Sequence, residues 1–483
     1  MPILRRWYYA VPPVYLALIL WLQPADRFVM ITSPHTPEYP LQGWASRLLS
    51  DDSDTIAYAL RAENAARGRK AGLTAPLLFG RTTGWRHPTH RPEEFDTRLA
   101  PYEPPGTFEL NEFEVSLTRP VEPLDRYFLE YPPLALDLFR LGHIAAPAGG
   151  TDVNPALLDS HQFNVICHPP GTPEEVQLYR RLRHATRVYA LLMTLAQLGL
   201  MLLTDRCFPG SPTWLLVLPG FLYFTACRFD VLPAFLVMAS VAAADRRKVA
   251  VAGLCLGLAV ALKMYPLVLA PILLRFTARS WKDAVVWCAC VALPMVLSNA
   301  RMWLTDGTEG VKVPFLFQLG RDPEPHWCFY GKFLPPELSF KTPIMSAVRT
   351  AIPLVVSVFW SVRRPPDVNS LLRRCVLAVG TFLTVAVFYS PQWWQWLAVL
   401  LVPLALRHRW LVWVVLFLDV WTYLHFPIMF DAMVTDLLTH GDEAWDGWDV
   451  LRIVHVWARG VVWLAMMGAL VWHELRAGQG DGK

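Results

Sequence analysis

Residues 249–266, VAVAGLCLGLAVALKMYP, decide the class of fold. From Val249 to Leu262 no residue is charged, and Lys263 then stands directly before Met264-Tyr265-Pro266. An apolar run bounded by charge reads as a helix in an apolar medium. Comparable runs lie at about 188–204, 212–227 and 230–244 before it and 265–277, 283–298, 345–363, 375–389, 391–406, 410–426 and 451–473 after it, and the first of all runs from Tyr8 to Leu22. Several are shorter than the roughly 20 residues of a full span. The expectation is an all-α polytopic membrane protein, a bundle of about 12 transmembrane helices with a long first external loop.

Composition agrees. The 483 residues are 54% hydrophobic and only 17% charged, below the roughly 25% charge of a soluble domain. There are 21 Trp and 41 Pro. Trp concentrates at membrane interfaces, and Pro is tolerated in membrane helices whose freed carbonyls find other partners. A net charge of +4 argues against a nucleic-acid surface. Cys288-Ala289-Cys290 lacks zinc-site spacing. Spacing alone does not establish a Cys167–Cys328 disulfide.

The positive-inside rule orients the chain. With the N-terminus inside, the clusters Asp245-Arg246-Arg247-Lys248, Arg275 to Lys282, Arg363 to Arg374 and Arg407-His408-Arg409 all fall inside, and only Arg180, Arg181, Arg183 and Arg187 disagree. No small-x-small cleavage site follows the first run, so residues 1–23 read as an uncleaved first transmembrane helix. Residues 24–187 form the long external loop, with interfacial helices near 134–146 and an irregular stretch over 69–125. Membrane helices fill 188–298, an external loop 299–344, more helices 345–476 with an external loop at 427–450, and a cytoplasmic tail 477–483.

Charges at the ends of membrane helices are costly and point to function. In this topology Arg228, Asp230 and Lys263 occupy outward turns. An Arg–Asp pair with a snorkelling Lys would give the same pattern for structural reasons alone. On the same side lies Asp51-Asp52-Ser53-Asp54-Thr55-Ile56-Ala57-Tyr58. Asp54 before an apolar-periodic run reads as a helix N-cap, which would also fix its carboxylate. Asp52-Ser53-Asp54 is an Asp-x-Asp pattern that can hold a divalent cation.

These residues resemble a known family. Asp54-x-x-x-Tyr58 with Gly68, Glu130-Tyr131-Pro132-Pro133, Ala252-Gly253-Leu254 through Lys263-Met264-Tyr265-Pro266, and Ser390-Pro391-Gln392-Trp393 to Trp396 and Pro403 occur in the order seen in glycosyltransferase family 87. Those are GT-C-fold membrane mannosyltransferases that use polyprenyl-phosphate sugars. Two features depart from the pattern: the gap from Asp54 to Tyr131 is long, and Arg228-Phe229-Asp230 replaces a Gly-Gln-type turn.

The resemblance implies a GT-C-like bundle that transfers a sugar, mannose first, from a polyprenyl phosphate to a hydroxyl of a lipid or glycan acceptor, with inversion. Asp54 would be the general base, with Asp52 as fallback. Lys263, Arg228 and Arg126 would hold the donor phosphate. Tyr58, Glu130, Tyr131, Gln392, Trp393 and His326 would contact substrate. No cofactor is implied, although a divalent cation at Asp52/Asp54 stays open. For Trp393, Trp394 and Trp396 an interfacial aromatic belt is the structural alternative. The expected partners are the sugar donor, the acceptor and membrane lipids, without nucleic acid. The expected location is a bacterial plasma membrane with the active site outside. Two rivals stand: a multi-helix transporter or flippase, which should place ionisable groups at mid-membrane in broken helices, and a non-catalytic scaffold.

Overall fold

The computed structural model describes residues 7–22, 132–144, 173–320, 343–386, 390–430, 432 and 447–477. Among them there are thirteen α-helices and no strand: α1 (Val11–Leu22), α2 (Pro133–Ile144), α3 (Pro173–Cys207), α4 (Pro219–Cys227), α5 (Val231–Asp245), α6 (Val249–Leu262), α7 (Ala270–Thr277), α8 (Trp281–Gly320), α9 (Pro343–Val362), α10 (Val368–Val385), α11 (Trp394–Leu404), α12 (Trp410–Tyr423) and α13 (Gly447–Ala477). Tight turns of 3₁₀-helix lead into α1, α4, α7 and α11, and α12 widens into a π-helix over Leu424–Phe430.

The bundle is apolar on its outside. Val285, Val286, Leu293, Val296 and Leu297 of α8, Val355, Val358 and Phe359 of α9, and Val454, Val461 and Leu464 of α13 are exposed. That surface suits lipid rather than water. Five helices among the described residues are long and apolar enough to cross a membrane, or six if the bent pair α4–α5 is one span. The expected count of about twelve is not reached by that measure. The reason is length: α4, α5 and α6 have 9, 15 and 14 residues, about 14, 22 and 21 Å at 1.5 Å per residue, against ~30 Å of hydrocarbon.

Helix α3 runs unbroken through residue 187, where the sequence reading ends the long loop. Its 35 residues span about 52 Å. Leu182, Ala185 and Tyr189 are buried beneath the arginines of this stretch, and Arg183 is itself buried. Likewise α8 continues past residue 299 to Gly320, with its break at Gly307, where φ is 71°.

Small residues set the closest packing. A Cβ on Gly257 would lie 2.4 Å from the Val291 carbonyl oxygen, and one on Gly253 2.6 Å from that of Trp287. These glycines therefore bring α6 against α8 in the manner of membrane helix pairs. The broken segment 213–227 keeps its polar backbone satisfied. Gln197 donates to Leu216 O at 2.6 Å, and Gln395 donates to Phe221 O at 3.0 Å.

The two ends of the bundle can be told apart. Arg246 closes α5 and donates to Cys207 Sγ at 3.2 Å, so the C-terminus of α3 lies at the Arg246 end. Arg364, after α9, donates to Arg275 O at 2.9 Å and also to Ala278 O. The turns after α3, α5, α7 and α9 thus share one basic end. Asp230 and Lys263 sit at the other end of α5 and α6, about 22 Å away.

Candidate active site

Asp230 precedes α5 but does not cap it. Its carboxylate turns instead toward α6 and α11. Oδ1 accepts from Lys263 Nζ at 2.6 Å and from Trp396 Nε1 at 2.6 Å. Asp230 is 1% exposed and its Oδ2 is buried with no hydrogen-bond partner. Lys263 closes α6 in an extended conformation that lifts its side chain off the helix. The ammonium lies 5.0 Å from the Phe229 ring centroid and 5.2 Å from that of Trp396. Tyr265, held by Pro266 in the following turn, stacks on Trp396 at 3.7 Å and 2°. Trp393 extends the stack at 4.9 Å, and Phe382 flanks both indoles.

The structural alternative read from the sequence, an Arg228–Asp230 pair with a snorkelling Lys263, is replaced by another arrangement. Asp230 pairs with Lys263, and Lys263 is buried. Arg228 ends α4, is also buried, and places its guanidinium carbon 5.8 Å from the Phe426 centroid. The interfacial-belt alternative for Trp393, Trp394 and Trp396 is likewise overturned, since all three are buried. A buried indole N–H needs an acceptor, and two of them find carboxylates: Trp396 uses Asp230 and Trp394 uses Asp419 at 2.9 Å. Gln392 is buried and accepts a hydrogen bond from the Ser390 hydroxyl.

Of the residues singled out from sequence, Lys263, Arg228, Gln392 and Trp393 come together at this end. Asp52, Asp54, Tyr58, Arg126, Glu130, Tyr131 and His326 lie outside the described residues. So does a cation site at Asp52/Asp54. Among the described residues no group of three His, Cys, Asp or Glu is placed to hold a metal. Sequence reasoning underrated Asp230, Tyr265 and Trp396. The Trp N–H was the available signal, because a buried indole needs an acceptor that its own helix does not supply.

Asp419 was missed altogether. It lies midway along α12, fully buried, and accepts from the backbone N–H groups of Gly220 and Phe221, both at 2.8 Å. A mid-span carboxylate against a broken helix is a feature expected of a transporter. Here, however, it caps the N-terminus of α4 and accepts the Trp394 N–H, which fixes it in a structural role.

The assembly can do three things chemically. Asp230 Oδ2 can accept a hydroxyl. The stacked rings offer flat apolar faces. The cations Lys263 and Arg228 can bear on an anion.

The family model described as Glycosyltransferase family 87 matches residues 175–312. That stretch contains Arg228, Asp230 and Lys263. The match is consistent with a GT-C-like family 87 enzyme and, with the apolar helices, indicates an integral membrane glycosyltransferase. No curated protein matches the chain.

Proposed function

We propose that this chain, matched to glycosyltransferase family 87 over residues 175–312, moves mannose from a polyprenyl phosphate to a hydroxyl of a lipid or glycan acceptor on the non-cytoplasmic face. The observation that carries the reading is the buried Lys263–Asp230–Trp396 assembly, with buried Arg228 two positions before Asp230 in the same turn. It lies at the end of α5 and α6 opposite the basic turns. Positive charge collects on the cytoplasmic side, which supports an outward-facing site.

In this mechanism the acceptor oxygen attacks the anomeric carbon as the bond from that carbon to the phosphate oxygen breaks. The acceptor proton passes to Asp54, and the lipid phosphate leaves with the bonding electron pair. Attack opposite the phosphate inverts the configuration, so a β-linked donor yields an α-linked product. Lys263, Arg228 and Arg126 stabilise the charge that grows on the phosphate. An ammonium carries three N–H donors, so Lys263 can serve Asp230 and a phosphate oxygen together. Asp230 Oδ2 takes a sugar hydroxyl, and Trp393 and Gln392 line the sugar or isoprenoid. The lipid tail lies between helices, which explains why a membrane-embedded protein performs a polar reaction.

The test is sugar transfer by purified protein, given radiolabelled polyprenyl-phosphate mannose and a membrane lipid extract. Asp54→Asn is run alongside. The native protein should label a new glycolipid, and the variant should lose roughly 10²–10⁴-fold of that rate. Transfer that persists in Asp54→Asn removes Asp54 as base. Absence of transfer from mannose, arabinose and glucose donors alike overturns the enzyme reading.

A further inference from the structure

A second polar cluster lies where the π-helix following α12 meets α13. Pro427 has no N–H to donate within the helix, and the turn widens to π geometry around it. This places His425 against α13, its ring 4.3 Å from that of His455 and nearly perpendicular to it. Trp421 stacks on His455 at 4.7 Å and donates its indole N–H to the His455 carbonyl at 3.0 Å, fixing the ring from the other side. Arg459 is one turn further along α13, on the same face as His455. All three polar side chains are buried, at 2%, 5% and 6% exposure for His425, His455 and Arg459.

One atom indicates a ligand. His455 Nε2 is buried and has no hydrogen-bond partner, although buried polar atoms are ordinarily satisfied. The Arg459 guanidinium supplies positive charge and N–H donors, and each imidazole can add one N–H, so the complementary group is an oxyanion. Depth narrows it further. His425 and His455 each lie near the end of an apolar span, Trp410–Met429 and Ile453–Arg476 respectively. Those span ends are remote from Glu474 and from the basic turns. At the end of two apolar spans, the oxyanion that fits best is that of a lipid headgroup. The neighbouring ring, Phe426, packs on Phe224 at 5.7 Å and lies under Arg228, so the cluster adjoins the candidate active site.

We infer that His455, His425 and Arg459 form a binding site for the phosphate ester of a membrane lipid. The pocket itself does not depend on sugar transfer. Only its use by a sugar donor rests on the function proposed above.

The test is lipid binding by the full chain in detergent, read by native mass spectrometry, with polyprenyl phosphate, phosphatidylglycerol and unphosphorylated polyprenol as probes. His455→Leu and Arg459→Gln should each weaken binding of a phosphate lipid about tenfold or more and leave polyprenol unchanged. His455→Gln, which keeps an N–H donor, should recover part of the loss and serves if the Leu variant does not fold. Loss confined to polyprenyl phosphate assigns the site to a lipid-linked donor; loss for phosphatidylglycerol as well assigns it to phospholipid headgroups. Unchanged binding of both phosphate lipids in the folded variants overturns the site. Sugar transfer is measured on the same samples. Binding lost in variants of a protein that transfers no sugar keeps this site and removes the enzyme reading. Normal binding and transfer in the variants does the reverse.

Discussion

Both ends of the bundle bury carboxylates against cations, but they complete them differently. At the basic end Glu474 of α13 accepts from Arg373 Nε at 2.8 Å, from Arg374 Nε at 2.7 Å and from the Ser370 hydroxyl at 2.5 Å. Arg374 goes on to donate to Trp360 O at 2.7 Å and to Arg363 O. Both carboxylate oxygens are engaged, and the network ties α9, α10 and α13 together. At the opposite end Asp230 puts both its donors on one oxygen and leaves the other buried without a partner. A closed network of this kind holds helices in register. An open one keeps an unsatisfied acceptor, which costs stability unless something binds. The contrast separates scaffold from site better than burial does, since both carboxylates are almost fully enclosed.

The sharpest way to break this contrast is Glu474→Leu. It leaves Arg373 and Arg374 buried without their carboxylate, and loss of one member of a buried ion pair costs about 3–5 kcal/mol. Thermal unfolding in detergent should show a large drop in Tm, while sugar transfer per folded molecule stays near native. A comparable loss of transfer at unchanged stability would reverse the assignment of the two ends. Next comes Asp230→Asn, which keeps an acceptor for Trp396 and removes the negative charge. Turnover should fall about 10²-fold, with Tm falling less than in Glu474→Leu. Native turnover in this variant would make Asp230 part of the scaffold.

Much of the fold was legible in the sequence because its signal is local. Each apolar run is its own evidence, and Gly253 and Gly257, four apart, mark a face that meets another helix. Less legible were the places where charge and tertiary packing meet. The arginines at 180–187 look like loop, yet Leu182, Ala185 and Tyr189 recur at helical spacing beneath them and are buried. Trp396 and Asp230 are separated by 166 positions, so no window of sequence shows that one satisfies the other. The same holds for Trp394 and Asp419. Of the candidate site, Lys263 and Arg228 could be named from their place at helix ends, whereas the partner of Lys263 could not.

Two smaller effects sharpen the picture away from either carboxylate. Gly257→Ala forces a methyl against the Val291 carbonyl, where a Cβ would lie 2.4 Å from the oxygen. Separating α6 from α8 should cost about 1–3 kcal/mol, read as a lower Tm. The smallest is a pH effect at His408, in the turn between α11 and α12. Burial first, then the nearby His473, Arg373 and Arg407, hold its pKa below the ordinary 6.5. The unfolded chain therefore takes up the proton more readily than the native one. Its contribution is complete above pH 6.5 and fades as pH falls through the lowered native value. His408→Gln should flatten that part of the stability–pH curve measured by detergent unfolding from pH 7.5 to 5.

The Asp419 cap bears on how the protein is made. A carboxylate in the middle of an apolar helix resists insertion into a bilayer, by about 2.5–3.5 kcal/mol on translocon scales. The chain emerges from its N-terminus, so Pro219–Cys227 is synthesised 199 positions before the residue whose charge it receives. The socket is thus in the membrane before the plug arrives, and Asp419 need not cross unpaired. Gly220 keeps that socket open, because a side chain there would meet the Asp419 carbonyl oxygen at 2.5 Å. Order of synthesis and closeness of packing act together: an early half-helix with a bare N-terminus admits a late helix that could not otherwise settle.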